Sequence, residues 1–311
     1  MTEPLQNHDF VVQENDDLRR LDKFLASQIS DISRNVLVKF LEQGCAQVNG
    51  VNTGKSYKVK TGDKVHITIP ISEPDSDIVA VPMTIEIAYR DDDIAVVNKR
   101  AGVCVHPAPG HIDDTLVNGM LDMFPQMAFI GSLKRPGVIH RLDLDTSGLI
   151  IFALSPTAYH RLCNAIKERQ IERRYIAIVH GVPADKRVKI NIPIGRDPHL
   201  RRNFTTKIKP GTGKSAQTEF EVAQEFHSAS LLNVKLGSGR THQIRVHLKH
   251  FGNPVIGDSV YGKNNAPFPI KRQALHAHTL KFDHPITGER LELEEPLPND
   301  MIELLDFLNN A

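Results

Sequence analysis

The sequence predicts an α+β protein in which a small basic unit precedes a larger, strand-rich domain. Apolar residues recur at helical spacing from Leu21 to Ile29, which is typical of an amphipathic helix. From Ile85 to Tyr89 the apolar residues alternate instead, and a turn leads to a second apolar run at residues 94–97, as in a β-hairpin. Residues 72–82 are acidic and proline-bounded, which indicates a linker between the two domains.

Length, charge and cysteine content narrow the class of protein. A chain of 311 residues has room for one large domain and one small domain. Because the formal net charge is only +1, any affinity for nucleic acid must come from local basic patches. The three cysteines are far apart and odd in number, which favours a reducing compartment over a disulfide framework. With no apolar signal segment and no apolar run of membrane length, the sequence predicts a soluble cytoplasmic protein.

The first domain is predicted to be a compact basic unit. Residues 1–17 are polar and are expected to form a flexible tail, and residues 18–71 are expected to form the unit itself. Ser33 can cap its second helix, and Asn49-Gly50 is a turn signal between two short strands. The unit contains nine Lys or Arg against four Asp or Glu, a local net charge of about +5. Such a unit can bind RNA, and docking of a protein is the open alternative.

The second domain, residues 83–311, is predicted to combine several strands with helices. Alternating apolar residues and turn signals predict strands near residues 85–97, 149–154, 175–180, 216–222, 231–236, 274–282 and 291–294. Helix starts are indicated by Asp114, by Ser155-Pro156 and by Asn299, which precedes an amphipathic C-terminal helix. Residues 196–214 carry six Lys or Arg against one Asp and are predicted to form an exposed basic loop, which either contacts phosphate or is merely solvated.

The stretch HRLDLDTSG, residues 140–148, is the feature around which the second domain is organised. It is rich in polar and turn-forming residues, and an apolar run follows it directly. A loop held by a buried strand is a rigid support for catalytic groups. Asp143 and Asp145 supply carboxylates, and the adjacent Arg141 guanidinium favours their ionised form. Taken alone, Arg141 and Asp143 can equally form a structural ion pair.

Three motifs in the second domain resemble those of the ribosomal large-subunit pseudouridine synthases of the RluA/RluD type, closest to the RluD branch. They are NKRAGVCVHPAPG at 98–110, HRLD at 140–143 and GSGRTHQIRVHLKHFGNPVIGDSVYG at 237–262. The first unit, in RLDKFLASQ, SRNVLVKFLEQG, VNG and GDKVHI, resembles the S4 RNA-binding domain. Two positions depart from the family pattern, Arg100 where proline is customary and Ser238 where threonine is usual.

This resemblance implies both a fold and an activity. The fold is an S4-like domain followed by a catalytic domain built on a mixed, mainly antiparallel sheet with flanking helices. The activity is the isomerisation of specific uridines to pseudouridine in 23S, large-subunit, ribosomal RNA, with no metal and no other cofactor. We expect a cytoplasmic monomer whose partners are large-subunit ribosomal RNA or pre-ribosomal particles, without association with a membrane.

The resemblance also assigns roles to individual residues. Asp143 is implied as the catalytic aspartate, which attacks the ribose or the base or removes the 2′ hydrogen. Arg245 is implied as the cation paired with it, and Tyr175 as the ring that stacks on the target base and takes part in removing the C5 proton. A structural ion pair and a core tyrosine are the respective alternatives. The implied substrate contacts are His140, Arg141, Arg240, His242 and Gln243, and the implied RNA contacts of the S4-like unit are Arg19, Arg20, Lys23, Arg34 and Lys39.

Two other classes of function remain open at this stage. A hydrolase could use His140, Asp143 and Asp145 on a sugar or phosphate. However, a pair of glycosidase carboxylates lies about 5 Å or more apart with one of them protonated, which the neighbouring Arg141 disfavours. A non-catalytic ribosome-binding factor would leave the RNA chemically unchanged. The histidines lack the spacing typical of a metal site.

Overall fold

The computed structural model describes residues 5–29, 32, 34–70, 78–200, 203–209, 211–263 and 268–310. Within these ranges the chain forms an N-terminal unit around a four-stranded sheet and a larger unit around a nine-stranded sheet. Ser33, the predicted helix cap, and residues 71–77 of the linker region lie outside the described residues. No helix in the described ranges is long and apolar enough to cross a bilayer.

The N-terminal unit packs two helices against a small antiparallel sheet. Its elements are β1 (Leu5–Val11), α1 (Leu21–Gln28), α2 (Arg34–Glu42), β2 (Ala46–Val48), β3 (Val51–Asn52) and β4 (Lys64–Pro70). The strand order is β1-β4-β2-β3. The apolar faces predicted from helical spacing are buried against this sheet, with Leu21, Leu25 and Leu37 fully inaccessible. Each such side chain contributes roughly 1.5–3 kcal/mol to the stability of the fold.

The prediction of a flexible N-terminal tail is wrong for the described residues. Leu5–Val11 forms β1, which pairs antiparallel with β4 along its whole length. The following Val12 is buried in the core of the unit. The hydrogen bonds of β1 go to a strand more than fifty residues away in sequence, and a pairing of this kind leaves little trace in the local composition.

The larger unit contains strands β5 to β17 and helices α3 to α6. These are β5 (Glu86–Arg90), β6 (Ile94–Lys99), α3 (Leu116–Met123), β7 (Gly131–Ser132), β8 (Arg135–Pro136), β9 (Ser147–Ala153), α4 (Pro156–Lys167), β10 (Glu172–His180), β11 (Arg187–Asn191), β12 (Gly195–Arg196), β13 (Phe204–Thr205), β14 (Gln217–Glu225), β15 (Ala229–Leu236), α5 (Gln243–Phe251), β16 (Leu275–Asp283), β17 (Arg290–Glu294) and α6 (Asn299–Asn309). The main sheet has the order β11-β14-β15-β10-β16-β9-β6-β5, with β17 also paired to β16. The β9–β16 pair is parallel and the other pairs are antiparallel, which confirms a mixed, mainly antiparallel sheet.

The centre of the main sheet is covered on both faces. Every residue of β9 is buried, and alternate side chains enter two different cores. Ile150 and Phe152 join the core that includes residues of α3, α5 and α6. Leu149 and Ile151 join the core that includes residues of α4. This double burial explains why the sequence of β9 is a continuous apolar run and not an alternating one.

Two predicted helix starts have different outcomes. Ser155 caps α4 as predicted, because its Oγ accepts a hydrogen bond from the Ala158 N–H at 3.2 Å, and Pro156 occupies the first helical position. For α3 the cap is Thr115 and not Asp114. Asp114 pairs instead with His111, so the boundary differs by one residue.

The described part of the predicted linker belongs to the larger unit. Ile78 is buried in its main core. The Asn118 side chain of α3 donates to the Val79 carbonyl at 2.7 Å, and the Val81 N–H donates to the Asn118 carbonyl at 3.1 Å. Residues 78–82 are therefore bound along α3, and their local acidity and proline content did not reveal this contact.

Candidate active site

Three segments that are distant in sequence meet at one open pocket. They are the loop before β9, strand β10 and residues 239–245, which end in the first turn of α5. Asp143, Tyr175 and Arg245, the three residues predicted to be catalytic, all line this pocket. The tertiary structure therefore brings the predicted catalytic residues together.

The loop that carries Asp143 is held at the start of β9 by a very close strand pair. Ser147 lies opposite His276 of β16, and the next residue, Gly148, has a φ of 108°. A Cβ at Gly148 would lie 2.2 Å from the Ala277 carbonyl oxygen, so the strands approach this closely only because the residue is glycine. The Thr146 N–H donates to the Asp143 carbonyl at 3.1 Å, which closes the turn before the strand.

Two basic side chains anchor the backbone of the same loop. Lys99 is fully buried, and its Nζ donates to three carbonyls, including those of Val103 at 2.8 Å and Leu144 at 2.9 Å. Arg272 donates from Nη1 to the Asp145 carbonyl at 3.1 Å. Neither residue was identified from the sequence, because a basic side chain carries no local signal of the distant backbone that it contacts.

Arg245 links two carboxylates. Its Nη1 donates to Asp143 Oδ2 at 3.0 Å, whereas its Nε and Nη2 hold Asp258 in a bidentate pair at 2.7 and 2.9 Å. Asp258 also accepts the N–H groups of Val260 and Tyr261, each at 2.9 Å. The guanidinium carbon lies 5.1 Å from the centre of the Tyr261 ring. The orientation of Arg245 is thus set by Asp258, which leaves one arm for Asp143.

The electrostatics keep Arg245 and Asp258 ionised. Burial acts to lower the pKa of Arg245, but the hydrogen bond to Asp258 and the charge of Asp143 outweigh it and raise that pKa. Burial acts to raise the pKa of Asp258, and its hydrogen bonds from Arg245 and the backbone outweigh this effect and lower it. Asp258 was not predicted as a site residue, although it lies in the quoted GDSVYG motif, because its buried partner is thirteen residues away.

Tyr175 points into the pocket from β10. Only 4% of the residue is exposed, and the pairing of β10 with β16 shifts register between Arg174 and Ile176, an irregularity of the kind that re-aims side chains near active sites. Burial raises the pKa of the Tyr175 hydroxyl and outweighs the opposing charge of Arg173. The phenol is therefore neutral at pH 7, which leaves its hydroxyl a hydrogen-bonding group and not a resting anionic base.

The predicted substrate contacts fall into distinct environments. Arg141 is exposed at the pocket and makes no hydrogen bond or ion pair with a described residue. Arg240 also lines the pocket, and its Nε donates to the Ser215 carbonyl at 3.0 Å. His242 contacts the Tyr261 hydroxyl through Nδ1 at 2.9 Å. Arg141 and Arg240 thus offer positive charge to a ligand that enters the pocket.

Gln243 and His140 have mainly structural contacts. Gln243 is buried, and its Nε2 donates to the Gln217 carbonyl at 2.8 Å while its Oε1 accepts the Arg240 N–H at 3.0 Å. It lines the pocket but holds the loop before α5 in place. His140 does not line the pocket. Its buried ring accepts the Ile151 N–H through Nε2 at 3.2 Å, so the predicted contact between His140 and substrate is not supported by its position.

Three of the basic residues predicted to contact RNA from the N-terminal unit are in ion pairs. Arg20 and Arg34 approach the buried Asp22 at 3.1 and 2.7 Å, and Arg19 pairs with Asp16. The side chains of Arg20 and Arg34 remain 41% and 47% exposed. Arg34 therefore links α2 to α1 through Asp22, and both arginines still present positive charge to solvent.

We expect the protein to lose stability on acidification because two buried histidines are neutral. Burial lowers the pKa of His140 to about 3 and that of His276 to about 4, against roughly 6.5 in an unfolded chain. Below pH 6.5 the unfolded state binds protons that the folded state does not, so each histidine destabilises the fold by up to about 1.4 kcal/mol per pH unit. For each histidine, this loss of stability stops once the pH falls below the pKa that the residue has in the folded protein. Urea denaturation at pH 7.5, 6 and 5 measures how steeply the free energy of unfolding falls with pH.

His276→Gln is the matched variant for this pH experiment. The histidine contacts the Ser147 hydroxyl at 2.9 Å and the Glu295 carbonyl at 3.2 Å, and glutamine retains groups that can replace both contacts. The variant should show a shallower fall in stability between pH 6.5 and 4, whatever its absolute stability. A slope identical to that of the parent would contradict a neutral His276 in the folded state.

Comparisons with known proteins point to one family. Residues 93–250 match the model of the RNA pseudouridylate synthase family. The chain is 42% identical to the uncharacterized RNA pseudouridine synthase YlyB of Bacillus subtilis, over 96% of this chain and 97% of the relative. It is 39% identical to ribosomal large subunit pseudouridine synthase D of Neisseria meningitidis serogroup B, over 93% of this chain and 78% of the relative.

A solved structure, human RNA pseudouridylate synthase domain containing 1, shares the fold. It matches with a TM-score of 0.55 and 28% identity, and the match covers 77% of this chain and 98% of the human one. The family match includes Asp143, Tyr175 and Arg245, which are the residues that meet at the pocket. The chain therefore belongs to the RNA pseudouridylate synthase family and is an RNA pseudouridine synthase of the RluA/RluD kind.

Proposed function

We propose that this enzyme converts specific uridines of 23S, large-subunit, ribosomal RNA to pseudouridine, with Asp143 as the catalytic carboxylate. The observation that carries the role of Asp143 is its place in the pocket. Its side chain is 14% exposed, and Arg245 occupies Oδ2 only. Oδ1 has no hydrogen-bond partner among the described residues and is available to the substrate. The choice of ribosomal RNA rests on the relatives named ribosomal large subunit pseudouridine synthase D.

The chemistry needs a nucleotide outside its helical stack. The bond between C1′ and N1 breaks, the uracil turns, C1′ bonds to C5, and the C5 proton leaves, so the reaction consumes no other reactant. The open pocket lined by Asp143, Tyr175 and Arg245 is the place where a nucleotide flipped out of its helix would enter. Asp143 acts on the ribose or base, Arg245 holds it in position through the hydrogen bond to Oδ2, and the ring of Tyr175 contacts the base. Asp145 does not line the pocket, which disfavours a hydrolase with paired carboxylates.

Two exposed cations, Arg141 at the pocket and Arg135 near Arg141, are suited to RNA phosphates. Arg141 and Arg135 are both exposed, and neither makes an ion pair with a described acidic residue. Burial and, secondarily, the nearby charge of Arg141 lower the pKa of Arg135, so the two guanidiniums lie close enough to repel each other. A phosphate group between or beside them would relieve that repulsion.

A map of pseudouridines in ribosomal RNA tests the proposed function. Carbodiimide-treated pseudouridine stops reverse transcriptase, so RNA from a deletion strain should lack particular stops in the 23S molecule that the parent strain shows. Supplying the parent gene should restore them, and supplying the Asp143→Asn gene should not. A hydrolase would change the mass of its product, and a non-catalytic binding factor would leave the map unchanged. An identical map in deletion and parent strains would overturn the proposed substrate.

The N-terminal unit is proposed to hold RNA through phosphates, as an S4-like domain would. Lys23 is exposed and makes no ion pair with a described residue, and Lys39 is half-buried in α2. Leu133 of the larger unit packs against the N-terminal core, so deletion of the whole unit would also expose apolar surface. Substitution of single charges avoids this effect.

The double variant Arg19→Gln, Lys23→Gln is expected to bind 23S RNA more weakly and with a flatter salt dependence. Each lost phosphate contact reduces the slope of log affinity against log salt by about 0.7–0.9, so the two together should reduce it by about 1.5. Binding measured at several salt concentrations gives the slope. Lys186→Gln, in which another exposed lysine loses its charge, is the control. Equal slopes in the double variant and the parent would show that these residues do not contact RNA.

A further inference from the structure

Arg173 is a buried cation in the active-site pocket without a partner. It lies in β10, is 6% exposed and lines the pocket with Asp143 and Tyr175. Its Nε is buried without a hydrogen bond, and its guanidinium makes no hydrogen bond or ion pair with any described residue. An unpaired buried charge is costly to the fold. The burial of Arg173 without a partner is best explained by a ligand that supplies the missing negative charge.

The neighbours of Arg173 do not provide that charge. Burial and the charge of Arg173 together lower the pKa of His140, so this neighbour is neutral at pH 7. Asp143 directs Oδ2 to Arg245 and lies beyond ion-pair distance from Arg173. Burial lowers the pKa of Arg173 too, yet an arginine remains cationic at neutral pH.

The backbone places the guanidinium beside the position of the substrate. Arg173 and Tyr175 are buried on one face of β10, and Arg174 between them faces solvent. Nη1 of Arg173 lies against Gly239, where a Cβ would be only 3.0 Å away. Because Gly239 has no side chain, the Arg173 guanidinium has room in the pocket wall. It lies there next to Tyr175, the residue implied to stack on the target base.

We propose that Arg173 binds an anionic oxygen of the nucleotide that enters the pocket. This inference rests on the proposed function, because it takes a uridine nucleotide as the ligand. Two sources share this chemistry. One is the phosphate of the flipped nucleotide, which is charged throughout. The other is a carbonyl oxygen of the uracil, which becomes anionic when the electron pair of the broken C1′–N1 bond passes to the base. The position next to Tyr175 favours the base.

Kinetics of Arg173→Gln distinguish the two sources. Tritium release from 23S RNA labelled at C5 of uridine measures turnover. If the charge arises only during the reaction, kcat should fall by about 10²–10³ with RNA affinity unchanged, as for the loss of other groups that stabilise developing charge. If the contact is to phosphate, affinity should weaken while kcat is largely kept. Arg174→Gln, the exposed neighbour, should change neither. Parent-like kcat and affinity in Arg173→Gln would overturn the proposal.

Thermal denaturation separates this role from a structural one and does not depend on enzyme activity. Removing an unpaired charge should leave the Tm of Arg173→Gln equal to or above that of the parent. Inorganic sulfate, a probe anion, should raise the Tm of the parent more than that of the variant. A lower Tm in Arg173→Gln combined with equal stabilisation by sulfate would show that Arg173 is structural. If the parent releases no tritium from 23S RNA, the proposed substrate is wrong, and the sulfate experiment still decides whether Arg173 binds anions.

Discussion

Asp143→Asn is expected to reduce pseudouridine formation below detection while the fold and the affinity for RNA are kept. The amide has the size of the carboxylate and can still accept the hydrogen bond from Arg245 Nη1, which is 3.0 Å long in the parent. Arg245 also keeps its bidentate pair with Asp258, so no buried charge loses all its partners. The amide, however, can neither attack the substrate nor accept a proton from it. Tritium release from 23S RNA labelled at C5 measures the loss.

Asp145→Asn is the matched control for this experiment. Asp145 lies two residues further along the same loop, and Arg272 binds its backbone carbonyl at 3.1 Å. Because its side chain does not line the pocket, turnover in this variant should remain close to that of the parent. Substantial turnover by Asp143→Asn would remove Asp143 from the mechanism, and equal losses in both variants would restore the paired-carboxylate hypothesis.

Tyr175→Phe is expected to lower turnover on uridine by about 10²–10⁴, the usual contribution of general acid–base catalysis. Phenylalanine retains the ring that we propose contacts the base. The Tyr175 hydroxyl makes no hydrogen bond with a described residue, so its removal leaves no protein group unpaired and the fold should be kept. The expected loss is therefore chemical, and it concerns the step in which the C5 proton leaves.

RNA that contains 5-fluorouridine tests which step needs the hydroxyl. This analogue has no C5 proton, so Tyr175→Phe should rearrange or trap it nearly as well as the parent does. Near-parent turnover of Tyr175→Phe on ordinary uridine would limit Tyr175 to stacking. Failure on both substrates with an intact fold would assign the hydroxyl to an earlier step. Since burial raises the pKa of the Tyr175 hydroxyl, the neutral phenol has to pass its own proton on if it accepts the C5 proton.

The helices and the central strands could be predicted from local patterns. Burial of one face forces apolar residues to recur at the period of the element, and so the spacing of Leu21, Leu25 and Met301 predicted buried helix faces that the structure contains. The run after the HRLDLDTSG loop predicted β9 for the same reason. The cap at Ser155 also depends only on neighbouring residues.

Predictions that depended on distant contacts were less successful. β1 was missed because its pairing partner, β4, lies far along the chain. Residues 78–82 were predicted to be linker because their contacts with Asn118 of α3 are absent from their own composition. The resemblance implied a contact between His140 and substrate, but the buried His140 ring accepts the Ile151 N–H and does not line the pocket.

The motifs of the sequence were sufficient to indicate the family, which the comparisons show, and to select Asp143, Tyr175 and Arg245 as candidates that the structure brings together. The charges that surround these residues could not be derived in the same way. Asp258 orients Arg245, Lys99 anchors the loop, and Arg173 is left without a counter-charge. Each of these features depends on residues that are far apart in the sequence. The strength of an electrostatic interaction depends on distance and burial in the folded chain, and the order of residues specifies neither.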